Sequence, residues 1–179
     1  MKTIVIYTSQ TGFTKKYAEW IGERLSAEVM TLKEAKKKSE KYFDDADAIL
    51  YGGWAMAGKV NSVDWYMKKA DAWKEKKLAI FCVGGSPMDN PDVKVWLENA
   101  IPEGKKEYIK PFYLQGGMNY EQMNMPARMM MKAFSSSMKK NKNATEKERI
   151  QAEWMSKSYD ISDVSYIEPI VEYVMAECP

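Results

Sequence analysis

Residues 1–14, MKTIVIYTSQTGFT, set a short run of β-branched and aromatic side chains against a sudden stretch of hydroxyls, one amide and one glycine. Thr3 to Tyr7 is too short for a helix and carries no charge, which predicts a strand buried on both faces. From Thr14 onward the apolar positions Tyr17, Ala18, Ile21, Gly22 and Leu25 recur every three or four residues, so a helix begins just beyond Thr11-Gly12. A helix start presents unpaired N–H groups and the positive end of its dipole, and an anion placed there is stabilised without a basic side chain. No Lys or Arg lies between Ser9 and Thr14. The turn offers the hydroxyls of Thr8, Ser9, Thr11 and Thr14, the Gln10 amide, and a Gly12 that lets the backbone approach closely. Neutral donors of this kind suit a phosphate monoester that is held rather than transferred. Neither GxxxxGK[ST] nor GxGxxG is present, which argues against a nucleotide triphosphatase loop and a dinucleotide fingerprint.

The stretch YTSQTGFT resembles the phosphate-binding loop of flavodoxin-like proteins, a Ser/Thr-x-Thr-Gly-x-Thr pattern after the first strand. The resemblance implies an α/β protein, a flavodoxin-like three-layer α/β/α sandwich. Its five-stranded parallel sheet would have the order 2-1-3-4-5, with FMN at the carboxyl ends of the strands. It makes Ser9, Gln10, Thr11, Gly12, Phe13 and Thr14 phosphate-loop positions. Phe13 replaces a residue that is often polar there, so its expected contribution is a backbone N–H.

Along the chain, Ala27 to Leu32 reads as a second strand, followed by the polar segment Lys33 to Asp45, whose Lys36, Lys37 and Lys38 form a solvated face. A third strand spans Ala48 to Tyr51 and ends in Gly52-Gly53-Trp54. A helix is expected from about Val60, capped by Asn61 or Ser62, with Val63, Tyr66, Met67 and Ala70 inward. The connection from Gly52 through Trp54, Ala55, Met56, Ala57 and Gly58 then faces the same crevice as the phosphate loop. Its small residues leave room for a flat ring, and either Trp54 or Met56 can cover one face. Lys77 to Val83 forms a fourth strand, and Asn90-Pro91 opens a helix with Val93, Trp96, Leu97 and Ala100 inward. Between them lies what the resemblance makes the second flavin loop, in which the backbone of Val83, Gly84, Gly85 and Ser86 meets the pyrimidine edge of the ring. Tyr108 to Leu114 is a fifth strand.

One domain, residues 1–179, is the expected organisation, bearing a Met-rich helical insert at about 115–160 before the last helix. Half of the fourteen methionines fall between Met118 and Met138. A central helix places Met130, Ala133, Phe134, Ser137 and Met138 on one face, expected to pack on the sheet, and a charged second helix runs from Thr145 to Ser156 behind a Thr-x-x-Glu start. The closing helix carries Ile167, Ile170, Val171 and Val174. Pro169 makes it start late or kink. Gly116-Gly117-Met118-Asn119-Tyr120 and the basic, apolar segment after it are similar to the subgroup that includes menaquinone-dependent protoporphyrinogen oxidase. That likeness implies substrate or peripheral membrane contact through the insert.

The chain has no histidine, which removes the commonest general base and the commonest metal ligand. Cys82 and Cys178 are too few and too far apart for a disulfide framework or a zinc site. No side chain is therefore assigned a catalytic or metal-binding role, and chemistry is left to a cofactor. A formal charge of +2, with lysines interleaved among acids, gives no nucleic-acid signature. It also departs from the acidity usual in flavodoxins that shuttle electrons. No signal peptide or membrane span is read, so a cytoplasmic protein is expected. The resemblance implies an FMN-binding electron-transfer protein whose partner is a redox protein or a small-molecule electron acceptor. The alternative is a flavin-dependent oxidoreductase related to protoporphyrinogen oxidase or a quinone reductase.

Overall fold

The computed structural model describes residues 1–56, 58–141 and 144–176. Ala57 and Cys178, both singled out above, lie outside them. Five long strands form one parallel sheet: β1 (Thr3–Tyr7), β2 (Glu28–Thr31), β3 (Ala48–Met56), β5 (Lys77–Gly84) and β6 (Ile109–Gln115). Their order is β2-β1-β3-β5-β6, the expected 2-1-3-4-5 once the two-residue β4 (Lys59–Val60), antiparallel to β3, is set aside. Alternate residues face opposite ways. Ile4, Ile6, Ile49, Tyr51, Leu78 and Ile80 pack beneath α3 (Asp64–Ala70) and α4 (Pro91–Asn99). Val5, Leu50, Ala79 and Phe81 pack beneath α1 (Phe13–Leu25) and α7 (Glu168–Met175). The sheet is thus covered on both faces, as the uninterrupted apolar runs require.

Helix α1 buries Thr14, Tyr17, Ala18, Ile21, Gly22 and Leu25, the stripe its periodicity predicts. Thr31 and Glu34 close a reciprocal capping box, so the chain turns into the short α2 (Leu32–Ala35) and Leu32 is helical instead of ending the strand. Helix α3 starts at Asp64 without a side-chain cap, later than expected. Ser62 takes φ 57, a left-handed conformation that stops the helix from extending back to Val60. Pro169 sits in the first turn of α7, where its missing N–H costs nothing, so the late start is the alternative realised.

Strand β3 continues through Gly52, Gly53 and Trp54 to Met56, where the local sequence reads as a loop. The glycines make room for neighbours. Phe81 lies opposite Gly52 in the register and its ring occupies the position of a Cβ, while at Gly53 a Cβ would lie 2.7 Å from Val60 Cγ1. Gly52→Ala is expected to force the fully buried Phe81 ring aside and cost about 1–3 kcal/mol, read as a lower urea midpoint with an unchanged slope. An unchanged midpoint would show that the ring moves freely.

The insert differs most from expectation. A two-stranded ribbon, β7 (Gly117–Met118) with β8 (Tyr159–Asp160), frames a helical hairpin of α5 (Met125–Lys140) and α6 (Glu146–Trp154). Thr145 and Glu148 form the anticipated capping box. The buried line of α5 is Ser135, flanked by half-buried Arg128, Met131 and Met138. It packs on α6, where the Ser135 hydroxyl donates to the Ala152 carbonyl at 3.0 Å. Met130 (60% exposed) and Phe134 (50%) therefore face outward, with Met125 and Met129. Both faces of the sheet are already occupied, so the helix meets its neighbour through Ser135 and the half-buried side chains beside it.

Candidate functional site

The parallel register brings the ends of β1, β3 and β5 side by side: Tyr7 pairs with Gly52, and Trp54 with Val83. The Thr8 N–H extends the ladder by donating to the Gly52 carbonyl at 2.9 Å. The three expected loops consequently meet along the carboxyl ends of neighbouring strands, beside the switch point of the sheet.

At the first loop, Gly12 takes φ 98 and acts as the N-cap of α1, a conformation that favours glycine. Its N–H donates to Ser9 Oγ at 3.2 Å, and its carbonyl accepts the first helical bond from the Lys16 N–H at 3.0 Å. Among the described residues the amides of Gln10, Thr11, Phe13, Thr14 and Lys15 have no partner within the chain. Thr14 is 2% exposed as a residue, and its hydroxyl makes no hydrogen bond within the chain but keeps access to solvent. A helix start with free N–H groups and a free hydroxyl beside it offers a cluster of donors to an acceptor from outside the chain.

Cavities open on both sides of the loop. One, of about 420 Å3, lies toward β2 and runs from Thr8–Gly12 to Lys15, Lys33 and Gln122. The other, of about 470 Å3, lies toward the ribbon and is walled by Phe13, Met118 and Tyr159. In it Lys16 is held by Asp160 at 2.9 Å and Ser162 Oγ at 2.8 Å. The cations Lys15 and Lys33 escape a reading confined to residues 9–14. Lys33 arrives only because the capping box ends β2 where it does.

At the second loop, Trp54 is half-buried, while Ala55 and Met56 are exposed. Gly58 takes φ 77, and its carbonyl accepts Trp96 Nε1–H at 2.9 Å. The Asn61 side-chain amide donates to Met56 Sδ at 3.6 Å, so Asn61 is engaged here and does not cap α3.

The third loop is tethered from within the protein. The Gly84 carbonyl accepts the Gly116 N–H at 2.8 Å. The Gly85 carbonyl accepts Tyr159 Oη–H at 3.0 Å, and the Ser86 N–H donates to Tyr113 Oη at 3.0 Å. The space beside Gly84 and Gly85 is filled by these same tyrosines. Burial pushes the hydroxyls of Tyr113 and Tyr159 up from the ordinary phenol value, keeping both protonated. Tyr113 has a faint signal in the sequence, since it follows the β6 alternation toward Cys82. Tyr159 has none, because it lies at the far end of the insert. Cys82 itself is buried, and desolvation pushes its thiol up to about 12, consistent with an inert strand residue.

Among the described residues no group of His, Cys, Asp or Glu could hold a metal ion, and no helix is long and apolar enough to cross a membrane. The chain is similar in structure to a flavodoxin-like, WrbA-like protein from Agrobacterium tumefaciens, with 22% identity, 64% of this chain and 82% of that one covered, and a TM-score of 0.48. It is also similar to the two-electron reduced flavodoxin of Megasphaera elsdenii, with 19% identity, coverage of 62% and 82%, and a TM-score of 0.46. The Trp repressor binding protein of Bacillus subtilis shares 12% identity over 81% of this chain and 99% of its own, with a TM-score of 0.46. No curated protein matches. The family model described as the flavodoxin domain matches residues 4–146, from the first strand to the start of α6. With its parallel sheet in the order the resemblance implies and a model match over most of its length, the chain belongs to the flavodoxin-domain family.

Proposed function

We propose that the chain binds FMN and works as an electron-transfer flavoprotein. Family membership supports flavin binding and electron transfer in general terms. The observation that carries FMN in particular is the group of partnerless amides around Gly12 together with the Thr14 hydroxyl, which makes no bond within the chain. Riboflavin would leave these donors unused, and a terminal phosphate satisfies them. The loop from Trp54 to Gly58 and the backbone of Val83 to Ser86 then border the ring. Trp54, held in β3, and Met56, exposed at its end, are the candidates to cover it. A bound flavin supplies the one- or two-electron chemistry, and the protein sets its position, its exposure to water and its hydrogen bonds. The partner is a redox protein or a small-molecule electron acceptor, and the site of action is the cytoplasm. The reading takes the chain as one domain carrying its insert.

A second reading is an FMN-dependent oxidoreductase, related to protoporphyrinogen oxidase or a quinone reductase. The cavity walled by Phe13, Met118 and Tyr159 favours it, because it gives a small substrate room beside the phosphate loop. The test of both is the cofactor. Heating the purified protein is expected to release a compound with a flavin absorption spectrum and the mass of FMN. Protein that purifies colourless and fails to quench FMN fluorescence in a titration would overturn both readings. Turnover of an organic substrate under steady-state reduction would then select the second.

A further inference from the structure

The third loop is held by groups from two distant parts of the chain. Its Gly85–Ser86 peptide is clamped at both ends, the carbonyl by Tyr159 Oη–H and the N–H by Tyr113 Oη, each at 3.0 Å. Tyr113 Oη–H returns a bond to the Ser86 carbonyl, also at 3.0 Å. One peptide earlier, the Gly84 carbonyl is fixed by the Gly116 N–H. Pro87 has no N–H, and that of Met88 goes to Gln115 Oε1 at 3.3 Å. Among the described residues this leaves Gly85 and Asp89 as the loop residues whose N–H groups have no partner in the chain, and the Gly85 N–H is the one beside the clamped peptide. Tyr159 reaches it from the far side of the insert, 74 residues along the sequence. A Cβ on Gly85 would stand 2.7 Å from the tyrosine hydroxyl, so the contact requires glycine there. The Trp154 ring of α6 packs edge-on against Tyr159 at 5.7 Å.

We infer that Tyr159 is a positioning residue for the flavin: its hydroxyl fixes the Gly85–Ser86 peptide so that the Gly85 N–H is presented to the pyrimidine edge of the ring. This rests on the flavin reading above. The Gly85 N–H lies in the Gly84–Gly85 peptide, held at its carbonyl by Gly116, and Tyr159 and Tyr113 hold the next peptide, so the backbone at Gly85 is fixed on both sides and its donor is preorganised. Reduction places negative charge on the pyrimidine side of a flavin. A donor aimed there binds the reduced form more strongly than the oxidised form and raises the potential. Because Tyr159 belongs to the ribbon that frames α5 and α6, the same bond joins the insert mechanically to the redox centre.

The test compares the holoprotein with Tyr159→Phe, which keeps the ring and removes the donor. Affinity for reduced FMN is expected to fall about tenfold more than affinity for oxidised FMN, a drop of about 30 mV in the two-electron midpoint potential. Gly85→Ala, whose methyl displaces the hydroxyl, should give a drop of the same sign, and combining the two should add little. Urea unfolding of the apoproteins reports any general loss of structure. A merely structural tyrosine would weaken both redox forms alike and leave the potential in place, and that result overturns the inference. Wild-type protein that binds no flavin overturns the underlying reading as well, so the two failures are distinguishable.

Discussion

Replacing Thr11 with alanine and Thr14 with valine together is expected to weaken FMN binding by about 10²- to 10⁴-fold while leaving riboflavin binding nearly unchanged. Each lost hydrogen bond to a charged phosphate costs about 1.5–3 kcal/mol, and each 1.4 kcal/mol is a factor of ten in affinity. The fold is expected to tolerate the pair. Thr14 is buried, but its hydroxyl has no partner in the chain, so the isosteric valine removes no internal bond. Thr11 faces the cavities on both sides of the loop. Parallel titrations of apoprotein with FMN and riboflavin, followed by flavin fluorescence, provide the check. Equal weakening of both ligands would place the phosphate elsewhere. Lys15→Gln with Lys33→Gln serves as a comparison, because these cations line one of those cavities and lie outside the expected phosphate-loop residues.

That the strand-turn-helix unit around Gly12 can be read at all reflects agreement among local signals. A β-branched run, a hydroxyl-rich turn, a glycine in the left-handed region and a helical stripe from Thr14 to Leu25 all describe one strand-turn-helix unit, and short-range geometry decides it. The parts that were not legible depend on residues far apart in sequence. Gly52-Gly53 reads as a loop by propensity. It becomes strand because Phe81 and Val60 fill the space the glycines leave. Methionine periodicity identifies α5 as a helix but does not say which stripe faces inward. The answer depends on Ala152, whose small size draws Ser135 toward it and turns Met130 and Phe134 to the outside. The tether from Tyr159 to Gly85 could not be anticipated for the same reason.

The outward turn of α5 leads to the other large expected effect. Excision of residues 119–158, with Met118 joined to Tyr159 through Asn-Gly, should abolish binding to anionic lipid vesicles while the remaining protein folds and keeps its flavin. The junction is feasible because Met118 and Tyr159 are antiparallel partners in the ribbon, and a two-residue turn closes such a pair. Little crosses the cut. Tyr120 Oη bonds the Met155 carbonyl, Tyr120 N–H bonds Ser158 Oγ, and Ser135 bonds Ala152, all within the excised piece. Losing the Trp154–Tyr159 ring contact should cost about 1 kcal/mol. The expectation of a lipid surface comes from charge. Helix α5 contains Arg128, Lys132, Lys139 and Lys140 and no acid, and its outer face exposes Met125, Met129, Met130 and Phe134. At about 1 kcal/mol for each of Lys132 and Lys140 near an anionic surface, and on the order of 1 for each half-exposed apolar side chain, the total is roughly that of a single myristoyl chain. Binding should therefore be reversible: the intact 179-residue chain is expected to co-sediment with phosphatidylserine-containing vesicles at low salt and to be released at about 0.5 M, where the Debye length is only a few ångströms. Vesicle binding that survives the excision would sink the membrane assignment. Loss of flavin from the shortened protein would instead make the insert part of the cofactor site.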